Sequence, residues 1–99
     1  MKLIAFKRSD KPEKKYMVVL NTATGREKTV HFGDAHMKDY TLFSAQEREA
    51  RKQQYLARHG AREDWDDPET AGFWSRWILW GPFPSVSANL KWVRGKYHL

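Results

Sequence analysis

The chain contains no cysteine, which excludes disulfides and thiolate metal sites and leaves the redox compartment open. It has no long hydrophobic run either. The longest apolar stretch is Trp77-Ile78-Leu79-Trp80, far too short to cross a bilayer. Charges return at once after the apolar start of Met1 to Arg8, so a signal peptide is not expected there. There is no Gly-x-Ser-x-Gly, no phosphate-cradling glycine loop and no zinc-type spacing. No repeat or low-complexity segment breaks up the 99 residues, and that length predicts one domain with a small core.

What the chain does have is tryptophan and positive charge. Four of the five tryptophans fall between Asp64 and Trp80, beside four of the twelve acids. Such large apolar side chains fix where a core or a docking surface must lie, and each buried indole N–H needs a partner. The net charge is +6, which favours an anionic partner. Residues 1–33 carry eight Lys/Arg against three acids, residues 34–80 carry seven against nine, and residues 81–99 carry three and none. Both ends are basic and the middle is mixed.

Local signals predict an α+β domain: a three-stranded antiparallel sheet, two helices and a short C-terminal helix. Leu3–Phe6, Tyr16–Leu20 and Thr29–Phe32 read as strands of a meander within residues 1–33. Tyr16, Val18 and Leu20 share one face, and Gly25 supplies positive φ to the second turn. A basic helix is expected over 44–59. Ser44 and Glu47 suggest a capping box, and Gly60 a left-handed C-cap. Few of its residues can face a core: Ala50, Tyr55, Leu56 and Ala57. A second helix is expected over 68–80, with Asp67 as N-cap, Pro68 in the first turn and Gly81-Pro82 as stop. Its Ala71, Trp74, Trp77 and Ile78 make one apolar stripe that should cover the sheet. A last helix, 86–94, is capped by Ser85 or Ser87 and ended by Gly95.

Two clusters invite a chemical reading. The acids Glu63, Asp64, Asp66, Asp67 and Glu69 could gather a cation, but their spacing matches no metal loop, and capping explains Asp67 and Glu69. His31, His36, His59 and His98 carry no catalytic signature, although His36 lies near Asp34 and Asp39. No catalytic residue, metal site or cofactor is therefore expected. The basic helix carries more. Arg51, Tyr55, Arg58 and Arg62 step by four, three and four, with Arg48, Lys52 and His59 in the next row. Arginines beside an aromatic suit phosphate contact and base stacking. Without a base-reading motif, such binding would be weakly sequence-specific. The tryptophan helix reads first as core, and second as a partner interface made by Trp74, Arg76 and Trp80.

Several segments together resemble a known group. These are His31-Phe32-Gly33, Asp39-Tyr40-Thr41, Arg48 to Arg51, Tyr55-Leu56-Ala57-Arg58-His59, Arg62-Glu63-Asp64-Trp65, and the block Thr70-Ala71-Gly72-Phe73-Trp74-Ser75-Arg76-Trp77-Ile78-Leu79-Trp80. From about Lys28 to Trp80 the chain looks like an uncharacterised family of short basic proteins from large DNA viruses and some tailed phages. It departs from that pattern at Asp34–Lys38, where a glycine-containing turn is usual. It departs again after Gly81, where Pro82-Phe83-Pro84 replaces a more polar linker. The resemblance implies a viral origin and a place in the virion or the host cytoplasm; it brings no site residues.

Three functions follow as expectations. The first is a non-enzymatic viral accessory protein binding DNA or RNA through Arg48, Arg51, Lys52, Tyr55, Arg58 and Arg62. The second is a virion structural component, a minor capsid or head-completion protein docking on viral structural proteins by its aromatic surface or sheet edge. The third is an inhibitor of a host protein. No membrane partner is expected, and the sequence leaves the oligomeric state open.

Overall fold

A computed structural model describes all of residues 1–99. Three strands, β1 (Lys2–Arg8), β2 (Lys14–Asn21) and β3 (Glu27–Asp34), form an antiparallel meander in the order β1-β2-β3. Helix α1 follows at Arg48–His59. A short helix α2 (Ala71–Trp74) runs straight into a π-helical segment, Ser75–Leu79, and α3 spans Val86–Tyr97.

The sheet buries one face. Tyr16 pairs with Phe32 and Val18 with Val30, while Leu20 continues the same row. Val18, Leu20 and Phe32 are fully buried. In β1 the register slips between Leu3 and Ala5, leaving Ile4 as the extra residue of a bulge. The bulge has a clear purpose. Leu3 and Phe6 are three apart and would point to opposite faces of a regular strand. The inserted residue lets Leu3 sit opposite Leu20 and Phe6 opposite Val18, so both pack on the core. Gly25 has φ +81, as the turn requires. Gly33 has φ +82, and a Cβ there would come within 2.7 Å of Leu79, so glycine at the end of β3 lets the π-helical segment approach the sheet.

The helical layer departs from simple periodicity. The stripe Ala71, Trp74, Trp77, Ile78 is only part of the buried face. Phe73, Trp74, Ile78 and Leu79 are buried, Trp77 is half-buried and Ala71 is exposed. The cause is the π-helical turn, in which the Trp80 N–H donates to Ser75 O, five residues back. That wider turn shifts the residues after it around the helix, and Phe73, Trp74, Ile78 and Leu79 all enter the core. Trp74 lies against Phe32, ring centroids 6.3 Å apart. Val93 of α3 completes the same core.

The helix boundaries also differ, each for a local reason. Helix α1 begins at Arg48, not Ser44, and no side-chain cap forms there. The Ser44 carbonyl already accepts from the Glu47 and Arg48 N–H groups, so its backbone does the work assigned to a capping box. Gly60 is right-handed, φ −59, rather than a left-handed cap. Asp67 does not cap α2. Its carboxylate accepts from the Glu69 N–H in a turn, and Thr70 caps instead, accepting from the Phe73 N–H at 3.2 Å. The Pro68 carbonyl accepts from Trp74 Nε1 at 2.7 Å, which keeps Pro68 in the loop. Ser85 caps α3 through the Ala88 N–H. That helix passes through Gly95 and ends at His98, whose φ of 57 makes the left-handed stop. The Leu99 carbonyl then meets the Leu3 N–H of β1 at 3.4 Å.

Candidate nucleic-acid interface

Residues 35–47 connect β3 to α1, and one acid fastens them down. Asp39 is 3 % exposed; it accepts from Lys15 Nζ at 2.5 Å, from the Thr41 N–H at 2.9 Å and from the Thr41 hydroxyl at 2.5 Å. This buried ion pair ties the connection to β2. A concave surface opens on each side of it.

The first cleft, about 320 Å³, lies between the ends of β2 and β3, α1 and the π-helical segment. Phe32, Leu79, Tyr55 and Trp80 contribute its apolar wall, and Lys14, Lys38, Arg58 and His59 its basic one. The second, about 420 Å³, is bounded by Arg8, Lys11, Lys14 and Lys15 with Tyr16 and Thr41. The two adjoin, sharing Lys14, Lys15 and Asp39. The ion pairs of the chain are Lys15–Asp39, Lys28–Glu69, His31–Asp10 and His59–Glu63. Arg8, Lys11, Lys14, Lys38 and Arg58 belong to none of them, and all five are exposed. Three acids line the first cleft too: Asp34 accepts from the His36 N–H and keeps its charge, Asp39 pairs with Lys15, and Glu63 accepts from Trp65 Nε1 and lies 3.2 Å from His59 Nδ1.

The basic helix divides between this surface and the interior. Arg58 lines the first cleft. Arg51 is exposed, its guanidinium 5.3 Å from the centre of the Phe43 ring. Arg62 is exposed beyond the end of α1. Arg48, Lys52 and Tyr55 turn inward. Arg48 leans on the Tyr40 ring with its Nε buried and without a partner. Lys52 donates to the Gly81 carbonyl at 2.8 Å, and burial lowers its pKa. Tyr55 is 5 % exposed and stacks on Trp80 at 4.7 Å, nearly parallel. Burial holds its phenol well above the usual range. It has no free face on which a base could stack. The helical step that gathers Arg51, Tyr55 and Arg58 is real, but the aromatic belongs to the packing.

Of the three residues assigned to a partner interface, Trp74 lies in the core, while Arg76 and Trp80 are half-buried. Trp74 is wholly buried. The Arg76 guanidinium sits over the Trp77 ring at 4.2 Å and the Trp65 ring at 5.3 Å and donates to the Trp80 carbonyl at 2.6 Å. Burial lowers its pKa. Neither Arg62 nor Arg76 pairs with Asp64 or Asp66. Asp64 accepts from the Asp66 N–H and Asp66 from the Tyr97 hydroxyl, while Arg76 is spent on aromatic rings and a carbonyl. Trp65 does plug the connection between α1 and α2, and its N–H donates to Glu63 at 3.1 Å. The Trp77 N–H donates to the Trp65 carbonyl at 2.7 Å. Indoles thus stitch residues 63–68 to the core, which is the work this aromatic block performs.

A model of the family of unknown function DUF5754 matches residues 4–59, more than half of the chain. The chain belongs to this family. The DUF5754 segment takes in β2, β3, the Asp39 connection and α1, and so holds Arg8, Lys11, Lys14, Lys38 and Arg58. It stops short of the Thr70–Trp80 block on which the resemblance chiefly rested. No curated protein and no solved structure matches the chain.

Sequence reasoning missed Arg8, Lys11, Lys14 and Lys38. Their signal was present as the basic balance of residues 1–33, but strand and turn charges show no helical spacing to mark a common face.

Proposed function

We propose that this protein is a non-enzymatic binder of nucleic acid with little sequence specificity, acting in a viral setting. The observation that carries the proposal is the run of five unpaired cations, Arg8, Lys11, Lys14, Lys38 and Arg58, along two adjoining concave surfaces. A phosphate backbone is a line of negative charge, and a curved row of free cations gains by displacing its counterions. Lysines and arginines facing phosphate fix position without reading bases, which accounts for the expected low specificity. The viral setting rests on the resemblance alone. Docking of a partner on the tryptophan block, as in a virion component, is the weaker reading, because Trp74 is wholly buried and Trp65, Trp74 and Trp77 spend their N–H groups on Glu63, Pro68 and Trp65.

Fluorescence anisotropy of labelled DNA and RNA across salt tests this. Binding should weaken steeply with salt, the logarithmic slope falling by about 1 for each phosphate-contacting cation removed. The variant Lys14→Gln/Lys38→Gln/Arg58→Gln should lose about tenfold or more in affinity at low salt. The control Lys91→Gln/Arg94→Gln/Lys96→Gln removes the same charge from α3 and should change affinity far less. Absence of binding at low salt, or equal loss in both variants, overturns the proposal.

A further inference from the structure

The clefts do not hold all of the free charge. Helix α3 carries Lys91, Arg94 and Lys96, all exposed, and none of them joins an ion pair. We infer that the outer face of α3 is a second, weaker nucleic-acid contact, so that one molecule bridges two segments of nucleic acid. This rests on the nucleic-acid reading above and adds an activity to it.

Three observations carry it. The first is the one-sided charge. Residues 81–99 contain no Asp or Glu, so nothing on α3 offsets its cations. The helix dipole favours cations in the last turn, where Arg94 and Lys96 stand. It equally favours acids in the first turn, where α3 has none, and Lys91 stands ahead of the last turn. The surplus repels itself in the free chain and is relieved by an anionic partner. The second is the mounting. Asn89 and Val93 are wholly buried, and Asn89 donates to the Ile78 and Phe83 carbonyls, which fixes the helix to the core. Ser87, Lys91 and Arg94, spaced by four and three, share the opposite face, and with Leu90 they line a shallow concavity that no carboxylate enters. Asp66 reaches α3 elsewhere, through the Tyr97 hydroxyl, on the side that meets Phe73 and Trp77. The third is separation. The concavity shares no residue with either cleft. The end of α3 meets the start of β1 at Leu3, while Arg8, at the other end of β1, lines the second cleft. A strand of that length spans roughly 20 Å. That exceeds the screening length at physiological salt, so the two surfaces act as separate sites on one domain.

The experiment mixes the full chain at low salt with two short duplexes of one sequence, one carrying a donor dye and the other an acceptor. Energy transfer between them should appear when protein is scarce and fade in excess, as each duplex then gains its own copy. The variant Lys91→Gln/Arg94→Gln/Lys96→Gln should bind one labelled duplex nearly as well as the unaltered chain, yet its transfer should fall about tenfold. Lys91→Glu, a single change at an exposed position, should lower transfer in the same direction with circular dichroism unchanged. Sedimentation should show a monomer at the working concentration. Binding without transfer overturns the inference and leaves the nucleic-acid reading standing. Transfer that survives in the triple variant, or that requires a dimer, does the same. Absence of binding removes the two together.

Discussion

Asp39 is the residue on which the candidate surface depends. Its carboxylate takes a lysine, a backbone N–H and a hydroxyl at once, and it sits beneath both clefts. Truncating one member of a buried ion pair strands the other, at a cost of about 3–5 kcal/mol. Asp39→Ala should therefore lower stability by roughly that amount in urea unfolding, and should loosen residues 35–43, seen as faster amide exchange there. A loss under 1 kcal/mol would show that the pair contributes little. The sequence offered Asp39 only in the segment Asp39-Tyr40-Thr41 and as a neighbour of His36, and nothing marked it as an ion-pair partner, because Lys15 lies 24 residues away. The tryptophans show the opposite case. Their number and clustering marked a core before any coordinates. Trp65 shows the rule behind that signal: a large side chain in a short connection fills space, and its N–H finds a partner, here Glu63. Tyr55 was misread for a symmetrical reason: a helical step identifies a shared face and does not say whether that face looks in or out.

Among the elements, the strands were the easiest to read and the α2 region the hardest. Alternation along Tyr16–Leu20 and the turn at Gly25 specify the meander directly, since both signals are local. The bulge at Ile4 was hidden, because a short all-apolar run hides which of its residues face inward. The π-helical segment was hidden too: a 3.6-residue period is the only helical ruler a sequence offers, and one wide turn shifts the buried face. Capping in this region was ambiguous because Asp67 and Thr70 both suit an N-cap. The Asp67 side chain is consumed by the Glu69 N–H, so the cap energy should reside at Thr70. Thr70→Ala should cost about 1 kcal/mol in chemical denaturation. Asp67→Ala should leave the start of α2 in place. If Asp67→Ala alone unravels it, by loss of helical circular dichroism, the assignment of the cap is wrong.

At the scale of the molecule, Arg8, Lys11, Lys14 and Lys15 of the first third meet Arg58 and Lys38 around one end of the sheet, while the phenols of Tyr40, Tyr55 and Tyr97 bond or pack among the helices and connections. That placement predicts the response to alkali. Tyr97 is pushed up from the usual 10.0 to about 12 by burial and by its hydrogen bond to Asp66. Burial also raises Tyr55, and a hydrogen bond to Glu49 raises Tyr40. Between pH 10 and 12 the folded chain thus holds protons that the unfolded chain has released. Stability carried by these phenols is complete below pH 10 and is lost as pH rises toward 12. Lys52, lowered by burial from the usual 10.5, works the other way: the folded state gains as that ammonium deprotonates, so its effect appears below the phenolic window. The thermal midpoint should therefore hold or rise slightly toward pH 10 and fall beyond it. Tyrosinate absorbance should show Tyr97, Tyr55 and Tyr40 ionising late, as the fold opens. Tyr97→Phe should flatten part of the decline without abolishing it, because Tyr55 and Tyr40 remain. An unchanged decline in that variant, or Tyr97, Tyr55 and Tyr40 all ionising near pH 10 in the folded protein, would show that their surroundings do not set the alkaline limit.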